Sequence, residues 1–567
     1  MKTSKVKKIC AAALAATLGI SILTGCGSST SSSNKSSDGD KVVTASEQVM
    51  TYNLGTDPKT LDPALNNAVD GGIVLSNVFE GLYKLDENQK AIPGVAESYD
   101  LSEDGTVYTF HLKKDLKWSN GDIIKASDFE YAWKRVLNPE TAAEYAYQMS
   151  YIKNADEYNQ TKDLDEDGKI ATVDDVGVKA TDDNTLEVTL NDPCPYFLEL
   201  TAFPCYFPVN QKLVEGNKDW ATSAETYVSN GAFKITDYKM KDQIVLERNE
   251  NYEDAKSVKL DKLNIKLVAE ETSAWASYKS GQFDMVDIVP LSEIQGAVAD
   301  GSAIIYPQLG TYFYCINVSD KAKEVNPDAA KVLSDPKVRK ALNLAIDRES
   351  LVTNVTKGGQ TPAHSFVPAG IKGEDGKDFA EKEYFPEKGD VEQAKKLLAE
   401  AGYPDGQGFP TIVLTFNPES GHGTIAQAVQ DMLKTNLGIN IELQSQEWKV
   451  FQTTRDNKNY EIARHGWIGD YVDPMTFLDM WVSTSGQNNA GYNNPEYDKL
   501  IASAKVEEDS AKRFEIMHQA EDLLMNDLPI LPMYYYTQPK GVKSYVKDVI
   551  VSPLGFIYFD KAYIEGK

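Results

Sequence analysis

The stretch IAQAVQDMLKTNLGINIELQSQEW, residues 425–448, decides the fold class. Its first part reads as a helix and its second as a strand, with almost no connection between them. The same succession recurs where SAKRFEIMHQAEDLLMNDLP, residues 510–529, runs into ILPMYYY, residues 530–536. Further out, TVYTFHL (106–112) and NTLEVTL (184–190) alternate with period two and read as strands. SDFEYAWKRVL (127–137) opens on Ser127 as N-cap and places Phe129, Ala132, Trp133, Val136 and Leu137 on one helical face. DVEQAKKLLAEAG (390–402) is capped by Asp390 and stopped by Gly402. No internal repeat accompanies this alternation. The expected class is α/β with mixed sheets.

A chain of 567 residues is too long for one core, so two or three domains are expected. The formal net charge is −27. A body this acidic repels nucleic acid and anionic lipid, which removes both as general partners. The 30 tyrosines suit surfaces that are apolar yet still hydrogen-bond.

The N-terminus reads as an export signal. Lys2, Lys5, Lys7 and Lys8 precede the apolar run ICAAALAATLGISIL, too short to span a bilayer comfortably. The run ends in Leu23-Thr24-Gly25-Cys26, which resembles a bacterial lipobox, with Cys26 lipidated after removal of residues 1–25. A chance cysteine behind an ordinary signal peptide is the alternative. Residues 26–44 then form a Ser-rich tether with almost nothing to bury.

Enzyme signatures are absent: no HExxH, GxSxG, P-loop, CxxC or Rossmann glycine pattern occurs. The five histidines show no metal-ligand spacing. Cys194, Cys205 and Cys315 form no disulfide framework; a Cys194–Cys205 bridge and three free thiols both remain open. One cation-site pattern stands out in DLDEDGKIATVD. Asp163, Asp165 and Asp167 alternate, Gly168 is sixth, Lys169 seventh and Asp174 twelfth. This resembles an EF-hand-type calcium loop, although its last ligand is Asp rather than the longer Glu. The alternative is a solvated acidic turn. If calcium binds there, its role is structural.

The densest chemistry lies in EIARHGWIGDYVDP (461–474), where an arginine, two aromatics and an aspartate crowd together without nucleophile spacing. Several stretches, in order along the chain, resemble one family. They include LDPALNN (61–67), VFEGLYKLD (78–86), PGVAESYDLSEDGTVYTFHLKKDLKWSNGDIIKASDFEYAWKR (93–135) and SNGAFKI (229–235). IVLERNENYED (244–254), DPKVRKALNLAIDRESLV (335–352), QEWKVF (446–451), HGWIGDYVDPMTFL (465–478) and YNNPEYDKLI (492–501) continue the series. On these the chain is identified as a member of the extracytoplasmic solute-binding proteins of peptide ABC importers (family 5), nearest its oligopeptide-binding branch.

The resemblance implies a two-lobed periplasmic-binding-protein-like clamshell with an additional third domain. Lobe I would comprise residues 45–79, 204–309 and 540–567, the extra domain 80–203, and lobe II 310–539. It implies no required cofactor and no enzymatic activity. The implied partners are short peptides, permease subunits and the membrane through the lipid, with the protein monomeric at the outer face of a Gram-positive cell membrane. The same fold with another cargo (a dipeptide, a peptide pheromone, a metal complex or a sugar) is the alternative; a calcium-dependent surface protein or hydrolase is a more distant one.

Residue by residue, the resemblance places Asp470 on the peptide's α-ammonium and the backbone of Gly466 and Ile468 on its main chain. Arg455, Arg464 and His422 match cations that meet the peptide carboxylate. A further family lysine falls at Thr356, one place from Lys357. Trp448, Trp467, Tyr145 and Tyr312 would wall side-chain pockets, and Val69 would offer a second strand-like backbone contact. Asn67 and Cys315 stand where acids are usual, which implies a reduced preference for basic peptides. Arg464 pairing with Asp470 is the structural alternative.

Overall fold

The computed structural model describes residues 47–161, 170–372, 376–507 and 509–567. The elements that carry the site are β1 (Val49–Asn53), α1 (Val69–Val78), β2 (Ala303–Ile316), α2 (His422–Leu437), α3 (Trp448–Asp456), β3 (Ile462–Ile468) and β4 (Ile530–Val542). The long strands β2 and β4 pair antiparallel, from Ala303 opposite Gly541 to Cys315 opposite Ile530. At the first end the pair is continued by Met285–Val286, β1, Lys262–Lys266, Gln243–Arg248 and Phe233–Lys239. At the other end it is continued by β3, Ile412–Phe416 and Ile441–Ser445. With Thr361–Pro362 on β4, eleven strands among the described residues form one mixed sheet with two wings.

The ladder between β2 and β4 breaks midway. Pro307 faces Thr537 and Thr311 faces Tyr535, so Gln308, Leu309 and Gly310 lie opposite Tyr536 alone. Proline has no N–H to give a ladder, which suits it to the edge of such a break. The bulged residues are stitched elsewhere: Leu309 N–H donates to Pro553 C=O at 2.7 Å, and Gly469 N–H donates to Leu309 C=O at 2.8 Å.

A separate antiparallel sheet runs Ala96–Leu101, Val107–Leu112, Thr185–Thr189, Val178–Asp182 in order of pairing. The helix Ala126–Leu137 lies against its last two strands and buries Phe129, Ala132, Trp133, Val136 and Leu137, the face read from spacing. Its cap differs from expectation. Lys125, not Ser127, is the N-cap, because the Asp128 carboxylate accepts from Lys125 N–H at 3.0 Å and closes the first turn. Helix Val391–Glu400 is capped by Asp390, whose carboxylate accepts from Gln393 N–H at 2.9 Å. Gly402 follows it in the left-handed region at φ 99°.

Cys194, Cys205 and Cys315 are buried free thiols, so the disulfide alternative falls. Asp163, Asp165, Asp167 and Lys169 of the candidate calcium loop lie outside the described residues, as does Cys26. Asp174 belongs to the short turn Val173–Asp175. Among the described residues no cluster of three metal-ligating side chains occurs, and no helix is long and apolar enough to cross a membrane.

Candidate ligand-binding site

A cavity of about 230 Å³ opens between the wings of the large sheet. One side is built by the segment from β1 into α1, with Asn67, Val69 and Asp70. The other is built by β3, α2 and α3, with Arg464, Gly466, Trp467, Ile468, His422, Trp448 and Arg455. Tyr145, Phe203, Asp470 and Phe556 complete the wall. A second hollow of about 240 Å³ shares Val69, His422, Arg464, Ile468 and Tyr536 with the first and reaches Thr356. Lys357 is not among the residues lining either hollow.

Asp470 is 8 % exposed. Tyr145 donates its hydroxyl to Oδ1 at 3.3 Å, and Gln148 donates Nε2 to Oδ2. Both donors are neutral, and among the described residues no cation pairs with this carboxylate. Burial pushes the carboxyl well above its usual range and Asp479 adds to the push, while the two hydrogen bonds oppose it. Gln148 is itself fixed: Tyr206 donates to its backbone C=O at 2.7 Å, and the Cys205 thiol reaches its Oε1 at 3.7 Å. Tyr145 stacks on Trp467 with centroids 6.3 Å apart, and Trp467 is anchored by Nε1 donating to Thr476 C=O at 2.7 Å.

Six residues before Asp470, Arg464 turns to tyrosines rather than to that acid. Its Nη2 donates to the Tyr536 hydroxyl at 3.1 Å, and its guanidinium lies 5.3 Å from the Tyr312 ring centroid. Tyr312 is fully buried and is absent from the cavity wall; it supports Arg464 from behind, stacked on Tyr534 at 4.7 Å. Tyr312 lies opposite Gly466 in the unbroken register between β2 and β3, but the rings of His422, Tyr534 and Tyr536 and the Arg464 guanidinium cover it. Gly466 lacks a side chain where one would collide, since a Cβ there would sit 2.1 Å from the Tyr536 hydroxyl. His422 is buried against Tyr312, and burial, then Arg464, hold its imidazole well below the ordinary value, so it is neutral here.

Val69 opens α1 instead of lying in a strand, so what it can offer is an unpaired first-turn N–H. Asn67 donates to the Glu144 carboxylate. Trp448 donates Nε1 to Asp70 Oδ2 at 2.9 Å, joining α3 to the first turn of α1. Sequence reasoning missed Gln148, Asp70, Phe203 and Tyr536. Only Tyr536 carried a signal, as a member of the tyrosine run 534–536.

A fold of mixed sheets meeting at two crossing strands, with an aromatic-lined cleft holding a few charged groups between the wings, defines a solute-binding clamshell. The model of the bacterial extracellular solute-binding proteins, family 5 middle, matches residues 90–489, and the chain belongs to that family. It is therefore a solute-binding protein and not an enzyme. It is 38 % identical to the oligopeptide-binding protein OppA of Bacillus subtilis over 96 % of this chain and 97 % of that protein. The substrate-binding domain of an oligopeptide ABC transporter from Bacillus anthracis superposes with TM-score 0.84 at 34 % identity, covering 92 % of this chain and 100 % of that one. The Escherichia coli murein tripeptide binding protein MppA gives 0.83 at 32 % identity, covering 93 % and 100 %. Its unliganded open form gives 0.61, covering 93 % and 99 %, so the wings here stand as in the former.

Proposed function

We propose that this chain captures short peptides between its two wings and delivers them to an ABC permease from a lipid anchor at Cys26. One observation carries the reading: a buried carboxylate, Asp470, held by neutral donors alone at the edge of a cleft lined by aromatics. A peptide ammonium supplies the missing cation, and in a water-poor site that pair gives both orientation and affinity. Gly466, Ile468 and Val69 then offer backbone groups to the peptide main chain, which tolerates any side-chain sequence. Arg464, Arg455 and His422 receive the carboxylate. Asp470 and Arg464 are six residues apart, at most about 20 Å along an extended strand. Peptides of roughly three to five residues, at about 3.4 Å each, fit that span once the side chains reach inward.

In this reading residues 45–79, 204–309 and 540–567 are lobe I, 80–203 the extra domain and 310–539 lobe II, and the protein is a monomer on a Gram-positive membrane. The sequence pattern at 163–174 supports a structural calcium ion, to be tested by titrating the protein with calcium. The central test is mass spectrometry of molecules released when the purified protein is unfolded. A ladder of short peptides of mixed sequence, lost in Asp470→Ala, is the expected result. A single defined peptide would mark a dedicated signal receptor, and a non-peptide ligand would overturn the reading.

A further inference from the structure

Glu271 opens the helix Glu271–Lys279, which follows the strand Lys262–Lys266 in the first wing of the large sheet. Its carboxyl faces the second wing. There the turn Glu419–Gly421, between the strand Ile412–Phe416 and α2, brings the backbone N–H groups of Ser420 and Gly421 to it. The same turn is seated on Leu291, which follows the strand Met285–Val286 of the first wing: a Cβ on Gly421 would sit 2.3 Å from Leu291 Cδ1. Ser420 and Gly421 both lie in the left-handed region, at φ 56° and 69°. A serine keeps that conformation only where its surroundings fix it. Glu271 lines neither hollow of the cleft, so it bears on the wings and not on the ligand.

The ion pairs that join the wings elsewhere, Lys449 with Asp57 and Lys59 with Asp456, match opposite charges. Glu271 is different. Its Oε1 is buried without a hydrogen-bond partner, and no cation pairs with the carboxylate among the described residues. The charged groups that bear on it are Glu419 from the opposite wing and Glu270 from its own chain segment, both acids. Asn417 donates Nδ2 to Glu419 at 2.8 Å, and Glu270 accepts from the N–H groups of Thr272 and Ser273. His422, next along the turn, is neutral and supplies no positive charge. Burial, the largest influence, and then the two acids push the Glu271 carboxyl up to about 7, against the pull of the Ser420 and Gly421 N–H groups.

With the wings apart the same carboxyl stands in water, where a glutamate titrates near about 4.3. A carboxyl raised on closure holds its proton more tightly in the closed form. That support for closure is complete below about pH 4 and is lost as pH rises through 7. We propose that Glu271 is a proton-operated latch between the wings, seating the turn Glu419–Gly421 when neutral and loosening it when ionised. Cargo is then held harder in acid surroundings and released more readily as the pH rises. Glu271 is on this account a positioning residue, and the inference rests on the capture of peptides between closing wings.

The test is calorimetric titration of the whole protein with tetra-alanine between pH 5 and 8, for the natural chain and for Glu271→Gln, a neutral side chain of the same shape. Asp470 and the peptide ammonium also titrate, but equally in both proteins, so the ratio of the two affinities isolates Glu271. The ratio of variant to natural affinity should rise by about tenfold or more from pH 5 to pH 8. A ratio constant over that range would overturn the latch while leaving peptide capture intact. If tetra-alanine binds neither protein, with the fold confirmed by circular dichroism, peptide capture falls and small-angle scattering decides the latch. The natural protein should then expand between pH 5 and 8 and Glu271→Gln should not; equal profiles would overturn the latch as well.

Discussion

The indole of Trp448 donates to the Asp70 carboxylate across the cleft, 378 positions away in sequence, at 2.9 Å. The same carboxylate accepts from the Thr56 hydroxyl at 3.0 Å and from Gly71 N–H at 2.7 Å. Burial raises the Asp70 carboxyl, and these donors, Gly71 foremost, oppose the rise. Trp448→Phe keeps the aromatic wall and removes one donor from a buried acid. A hydrogen bond to a charged group contributes about 1.5–3 kcal/mol. Ligand affinity should fall at least tenfold by calorimetry, with little change in the circular dichroism spectrum.

Two ion pairs flank that contact and join the same elements. Lys449 meets Asp57 and Lys59 meets Asp456, each at 2.8 Å. Their lysines are about one-third exposed and the acids mostly covered, so added salt screens them only in part. Lys449→Met retains the apolar stem and deletes one pair, for about 0.5–1 kcal/mol. The variant should bind ligand a few-fold more weakly at low ionic strength, with the difference narrowing in 0.5–1 M salt. A difference independent of salt would assign the effect to packing instead.

Gly466 and Tyr536 test how tightly the arginine is held. A methyl group at 466 would displace the Tyr536 hydroxyl and with it the acceptor for Arg464. Gly466→Ala should weaken binding about tenfold. Adding Tyr536→Phe should cost less than the sum of the two single changes, because both remove the same hydrogen bond. Strict additivity in the double-mutant cycle would refute the coupling.

The pH response follows from a buried acid behind the site. Asp479 is 1 % exposed and its carboxyl is pushed up to about 7, first by burial; Lys505, 3.9 Å away, pulls it down and Asp473 pushes it up. Its unfolded value is near 3.9. A carboxyl raised on folding holds its proton more tightly in the folded state. That contribution is therefore complete below about pH 4 and is lost as pH rises through 7. The thermal midpoint of the natural protein should fall between pH 5 and 8, and Asp479→Asn should flatten that slope. Glu521, also near 7 and accepting from Phe366 and Val367 N–H, supplies a remaining slope in the variant.

Local pattern carried much of this fold into the sequence. The helix faces at 126–137 and 391–400 and the helix-to-strand succession at 425–445 depend on neighbours a few residues apart, which spacing reveals. The site strand was legible because Arg464, Gly466, Trp467 and Ile468 lie on one continuous stretch. What escaped depends on distant partners. Gln148 reaches Asp470 over 322 positions, and nothing in its own neighbourhood marks it. Tyr312 is kept out of the cavity wall by cover from His422, Tyr534 and Tyr536, residues more than a hundred positions away, and alternation alone does not announce such cover. Ser127 lost the cap to Lys125 because the deciding group was the Asp128 side chain.

The interrupted ladder between β2 and β4 acts as a crease. Backbone pairs stand on both sides of it, Tyr306 with Gln538 and Thr311 with Tyr535. Leu309 inside it is tied on both sides, its N–H to Pro553 C=O and its C=O to Gly469 N–H, so any bending along that line would load these two hydrogen bonds first. Tyr536 stands in the crease, and its hydroxyl touches Arg464. One phenol ring thus connects the interrupted part of the ladder to a cation in the cleft.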